Sequence, residues 1–148
     1  MIKKIIISLI SSVFILSAAS CESPPPPSLS IGSEQDCTLY CNDKSFVCHI
    51  QQLGDELCSV TLTKPKELSG LCYRYSDGEY NFCYNGLCSR NESQLLPQNS
   101  LLYMTLKALR SLQSNPPALT AGSEGYTADA GTFTVYTDNE GRLTSLSF

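Results

Sequence analysis

All eight cysteines of this chain lie between Cys21 and Cys88, and the sixty residues after Cys88 contain none. Thiols at that density suit a compartment where they oxidise, so the first half reads as an exported module stapled by disulfides. The spacing is Cys37-x3-Cys41-x6-Cys48-x9-Cys58-x13-Cys72-x10-Cys83-x4-Cys88, with Cys21 standing ahead of it. An even count allows Cys21, Cys37, Cys41, Cys48, Cys58, Cys72, Cys83 and Cys88 to close four bridges. Spacing does not choose among the roughly one hundred possible connectivities. A module of about 55 residues buries too little apolar surface to offset its chain entropy, and bridges of roughly 2–4 kcal/mol each would make up the difference.

The start of the chain supports export. Lys3 and Lys4 precede an apolar run from Ile5 to Leu16, and Ser17-Ala18-Ala19-Ser20 supplies the small residues that a signal peptidase needs. The run has about a dozen residues against the roughly 20 of a bilayer span, so residues 1–19 read as a removed signal peptide. No later segment is apolar enough to span a membrane. Ala18-Ala19-Ser20-Cys21 also resembles a bacterial lipobox, with residues 22–28 as a tether. Lipidating Cys21 would leave seven cysteines, and position −3 holds Ala18 where lipoboxes usually carry Leu. The disulfide reading is therefore preferred, with the lipoprotein as its alternative.

Residues 20–35 read as a linker, because Pro24 to Pro27 fix φ and remove four N–H donors, which gives extended polyproline II. Residues 36–90 form the cysteine module. Its short runs alternate at period two: Cys58 to Thr63, Leu71 to Tyr75, and Tyr80 to Tyr84. Hairpins are expected at Ser76-Asp77-Gly78 and Asn85-Gly86. Cys37 and Cys41 are four apart and suit one face of a helical turn. Residues 91–148 form a tail of another kind. Asn99 or Ser100 caps a helix through about Gln113, with Leu102, Leu106, Leu109 and Leu112 on one stripe and Asn115-Pro116-Pro117 as its stop. Residues 118–130 read as a loop of small residues, and residues 132–148 as a hairpin around Asp138 to Gly141. The expected fold is a small, disulfide-rich, mostly β module followed by a Cys-free α+β tail of one helix and one hairpin. The tail either packs on the module or is partly mobile.

Removing Lys3 and Lys4 leaves eight basic residues against fourteen acidic ones, a charge of −6. No basic patch exists, and nucleic acid is excluded as a partner. His49 is the sole histidine. With Cys37, Cys41 and Cys48 it would make a zinc set only if a second ligand pair were present, and none is. Cys48 and His49 are sequence neighbours whose side chains diverge, which does not suit a catalytic dyad. Ser123 in Gly122-Ser123-Glu124-Gly125 lacks the strand of a nucleophile elbow, and Asp77 with Glu79 are acids flanking a turn. The reading is a binding protein rather than an enzyme, without metal or cofactor, and monomeric. Asn91-Glu92-Ser93 is a glycosylation sequon that marks Asn91. Tyr73, Tyr75, Tyr80 and Tyr84 crowd the hairpin region and are candidate binding residues, since tyrosine is enriched at interface hot spots. The competing reading is that they pack small strands around cystines.

Gly70-Leu71-Cys72-Tyr73-Arg74 and Cys83-Tyr84-Asn85-Gly86-Leu87-Cys88 resemble the G-x-C … C-x2-G-x-C ending of small cysteine-rich salivary proteins of ticks, the ixostatins among them. A similar ending closes the cysteine-rich region of some secreted metalloproteases. The resemblance covers about 50 residues; Cys48 is extra to it and the tail has no counterpart. It implies a secreted effector that binds a host protein, such as a chemokine, a protease or a complement component. No functional residue beyond the cysteines carries over.

Overall fold

Between Glu34 and Arg90 the chain runs back and forth in six strands: β1 (Glu34–Cys41), β2 (Lys44–Leu53), β3 (Leu57–Lys64), β4 (Leu71–Ser76), β5 (Glu79–Tyr84) and β6 (Leu87–Arg90). The computed structural model describes residues 24–54, 57–90 and 99–148. Three of the connections are two-residue turns with both residues at positive φ: Asn42-Asp43, Asp77-Gly78 and Asn85-Gly86. That is the turn whose twist matches paired strands, and Asn, Asp and Gly tolerate it best. Both hairpins expected within residues 36–90 form as read. The helix α1 (Leu101–Ser114) also forms as read, with the Ser100 hydroxyl accepting the Tyr103 amide at 3.3 Å. A second set of strands follows: β7 (Thr120–Ala121), β8 (Tyr126–Asp129), β9 (Thr134–Thr137) and β10 (Leu143–Ser147).

All ten strands belong to one sheet, in the order β6-β5-β4-β3-β2-β1-β10-β9-β8-β7. Each half is an antiparallel meander. The halves meet where β1 and β10 pair in parallel, Leu39 opposite Leu146. The chain leaves one sheet edge after β6 and returns at the other with β7, and α1 lies on the face between. Leu102, Leu106, Leu109 and Leu112 point down from α1 and are buried. Beneath them the strands present Cys37, Leu39, Cys48, Ile50, Cys58, Val60, Leu62 and Tyr73, continuing into Ala128, Val135, Leu143 and Leu146. One core therefore runs under both halves. Each fully buried leucine contributes about 1.5–3 kcal/mol by leaving water.

Three expectations are corrected. Cys37 and Cys41 lie on strand β1, where period two puts Cys37, Leu39 and Cys41 on one face, so no helical turn forms there. Residues 118–130, read as a loop, contain β7 and β8, which pair Thr120 with Thr127. Residues 24–33 do not act as a free spacer throughout. Ser30 bridges Arg142, its amide donating to the Gly141 carbonyl at 2.8 Å, while Leu29 and Ile31 pack against the core. The tail joins the module's sheet, in which β10 is a central strand. The expected signal peptide over residues 1–19, Cys21 and the sequon at Asn91 lie outside the described residues.

Candidate functional site

The four tyrosines singled out in the sequence do not share a solvent-facing surface. Tyr73 is buried, its ring 5.2 Å from that of Phe82. Tyr75 and Tyr80 stack at 4.9 Å, and Tyr80 reaches Tyr103 of α1 at 5.6 Å. Arg110 of α1 lies 3.8 Å over the Tyr75 ring and donates through Nη1 to the Tyr80 hydroxyl at 3.0 Å. Burial alone would lower the Arg110 pKa, but its bond to Tyr80 and the neighbouring Tyr75 outweigh that and raise it. This cluster fastens the helix to β4 and β5, so Tyr73, Tyr75 and Tyr80 are packing residues. Tyr84 alone of the four is exposed, beside Leu87, its partner across the β5–β6 turn.

The cysteines are also distributed differently from the expected set of staples. Cys83 and Cys88 are bonded across β5 and β6. Cys37, Cys41, Cys48, Cys58 and Cys72 are thiols. Three of them, Cys37, Cys48 and Cys58, are buried on the helix-facing side, where cysteine packs as a small hydrophobe. Cys37 and Cys48 are directly opposite each other in the β1–β2 register, and the Cys48 thiol donates to the Cys37 carbonyl at 3.4 Å. The hydrogen bond with the Cys37 side chain, followed by burial, holds the Cys48 pKa far above the ordinary thiol range. Burial pushes Cys58 up from 9.0 to about 11, with Arg110 opposing it. Cys41 sits at the end of β1, its sulfur accepting from Asn42 Nδ2 at 3.6 Å. Cys72 lies opposite Cys83 on the other face of the sheet.

His49 points away from Cys48, out of the core, and its Nδ1 lies 2.9 Å from the Asp36 carboxylate in an exposed pair. Strand alternation separates the two side chains that a dyad or a zinc set would need on one side. Among the described residues no group of three or more His, Cys, Asp or Glu side chains is placed to hold a metal ion.

The sheet face opposite α1 carries a cleft of about 470 Å³ that the sequence did not single out. Its floor is Tyr40 from β1, Ser145 and Ser147 from β10, Tyr136 from β9 and Thr127 from β8, and the loop Gly122 to Gly125 forms one wall. Tyr40 is 45 % exposed and Tyr136 38 %. Strand parity explains both: Leu39 and Val135 fill the core, so their neighbours Tyr40 and Tyr136 face outward. Gly125 is required at the wall, since it has φ 137° and a Cβ there would strike the Thr137 carbonyl. Thr144 at the β10 bulge donates to the Tyr136 carbonyl at 3.0 Å and adds another hydroxyl to the lining. The lining has one carboxylate, Glu124, and no cation. Ser123 stands in the wall loop beside Glu124, with no histidine in the lining. Such a surface offers hydroxyl hydrogen bonds and two amphipathic rings, which suits recognition more than bond making. Compared with known proteins, the chain matches no family model, no curated protein and no solved structure.

Proposed function

We propose that this chain is an exported, secreted protein that works by binding an extracellular protein, without chemistry of its own. Its partner surface is the tyrosine- and hydroxyl-lined cleft on the open face of the sheet. The observation that carries the reading is the placement of Tyr40 and Tyr136, two large rings held at solvent by a rigid sheet whose other face is covered. Rigid tyrosines give large contact area at low entropic cost, which is why they recur as interface anchors. A host chemokine, protease or complement component is the partner class that the resemblance to small cysteine-rich salivary proteins of ticks implies. The immobilised folded chain is expected to retain a defined protein from plasma or tissue extract, and Y40A/Y136A to lose at least tenfold in retention. Equal retention by the double variant would remove the cleft from the reading, and no retention by either would remove the reading.

A second reading, attachment to a bacterial envelope through a lipidated Cys21, gains from one observation. The preference for a disulfide at Cys21 rested on Ala18 at position −3 and on an even cysteine count. Of the seven described cysteines only Cys83 and Cys88 are bonded, so that count no longer demands a partner for Cys21. The intact mass of natively expressed protein separates the readings: three added acyl chains on a fragment starting at Cys21 establish the anchor, and their absence removes it.

A further inference from the structure

Gln52 is 6 % exposed, and both its amide nitrogen and its amide oxygen are buried without a hydrogen-bond partner among the described residues. It occupies a core position on β2, opposite Cys58 of β3, where Cys48 and Ile50 on the same face are apolar and fully buried. Its backbone is satisfied, the amide donating to the Ser33 carbonyl at 2.7 Å, so only the side chain is orphaned. A buried amide left unpaired lowers stability relative to an apolar side chain of the same size. An amide orphaned in this way calls for a partner.

The residue also lines a cleft of about 360 Å³, distinct from the tyrosine cleft and on the helix side of the sheet. Leu29 and Ile31 of the N-terminal segment form one wall, and Leu112, Gln113 and Pro116 at the end of α1 form another. The volume falls within the range of small-ligand sites, about 300–1,000 Å³. No lining residue is charged. A ligand bearing a net charge would leave that charge uncompensated, so the occupant is neutral. A glutamine amide presents one acceptor and one donor side by side in a plane. The group that satisfies both at once is another amide with N–H and C=O on the same side, as in a lactam; a trans peptide bond directs them oppositely. In this structure both amide atoms are closed off from the cleft, and a ligand engages them by rotation about the terminal torsion, which is broad in glutamine.

We infer that the cleft between the N-terminal segment and the end of α1 binds a small neutral molecule with a lactam-type cis-amide edge, read by Gln52, with its apolar remainder against Leu29, Ile31, Leu112 and Pro116. This is independent of the protein-binding reading, and neither test bears on the other.

The test uses the full chain with 15N-labelled glutamine side chains. δ-Valerolactam is expected to shift the Gln52 NH2 resonances saturably. N-methyl-δ-valerolactam, which keeps the acceptor but lacks the donor, should bind at least tenfold more weakly. Gln52→Leu should abolish lactam binding while melting higher than the parent by roughly 3–6 °C, since the orphaned amide is gone. Gln52→Met serves the same purpose if the branched side chain does not fit. An NH2 group that responds to neither lactam and shows contacts to water only would overturn the inference, as would equal binding of the two lactams. Variants that fold yet melt below the parent would overturn it too.

Discussion

The two halves of the sheet differ sharply in composition and yet are built alike. The β1–β6 half contains all seven described cysteines, and the β7–β10 half contains none, relying on short strands, hydroxyl side chains and glycine turns. Cysteine density would suggest that the first half is stapled and the second depends on packing. In the structure both depend on packing. The one bridge among the described residues, Cys83–Cys88, lies toward an edge, far from the β1–β10 junction, whereas Cys37, Cys48 and Cys58 occupy the same core as Leu39, Val60 and Val135. A cysteine pattern therefore says as much about the inward face of a strand as about bridges.

If that is right, damage to the shared core should be felt equally on both sides. Leu106 of α1 is fully buried over the sheet. Leu106→Ala should cost about 2–5 kcal/mol, in a single denaturant transition, with amide exchange at Val60 and Val135 accelerating together. Faster exchange at Val60 alone would restore the picture of two separately stabilised parts.

Alkali should act through the cysteine half. Cys58 has a folded pKa of about 11 against an ordinary 9.0, because burial disfavours the thiolate. Its contribution is complete below pH 9 and is lost as pH rises through 11, since the unfolded chain releases that proton first. For the reduced protein this amounts to about 2–3 kcal/mol, with Cys48 acting in the same direction. Denaturation curves at pH 8 and pH 11 should differ less for Cys58→Val than for the parent. An unchanged pH dependence would place Cys58 in contact with solvent.

The smallest effect belongs to the bridge. It links residues five apart, and a loop that short is worth about 2 kcal/mol in the chain-entropy account. Cys83→Ser with Cys88→Ser should lower stability by no more than that and leave exchange in β7–β10 untouched. A global collapse would mean that the staple carries the fold after all.

Legibility in the sequence followed the range of the signal. Strands β3, β4 and β5, the Asp77-Gly78 and Asn85-Gly86 turns, the leucine stripe of α1 and the final hairpin all announce themselves within a dozen residues, and each forms where it was read. β1 and β2 were missed because their core face is made partly of Cys37, Cys41 and Cys48, which were assigned to bridges and so withdrawn from the apolar pattern. Gln52 interrupts the same pattern on β2. β8 turns only Tyr126 and Ala128 inward and fully buries only the alanine, too short a period to see. The cleft was invisible for a different reason: Tyr40 and Tyr136 are brought together by parallel pairing of the first strand with the last, and no local window contains both.

That pairing also sets the order of assembly. Thr38 and Ser145 are neighbours in the middle of the sheet, so the seam cannot close until the chain has been made through β10. Non-local contacts of this kind slow folding by their topology, even when the final state is no less stable. Until then β1 has a free side, and the apolar face destined for α1 is only half assembled. Among the described strands β10 is therefore the latch that joins the two meanders.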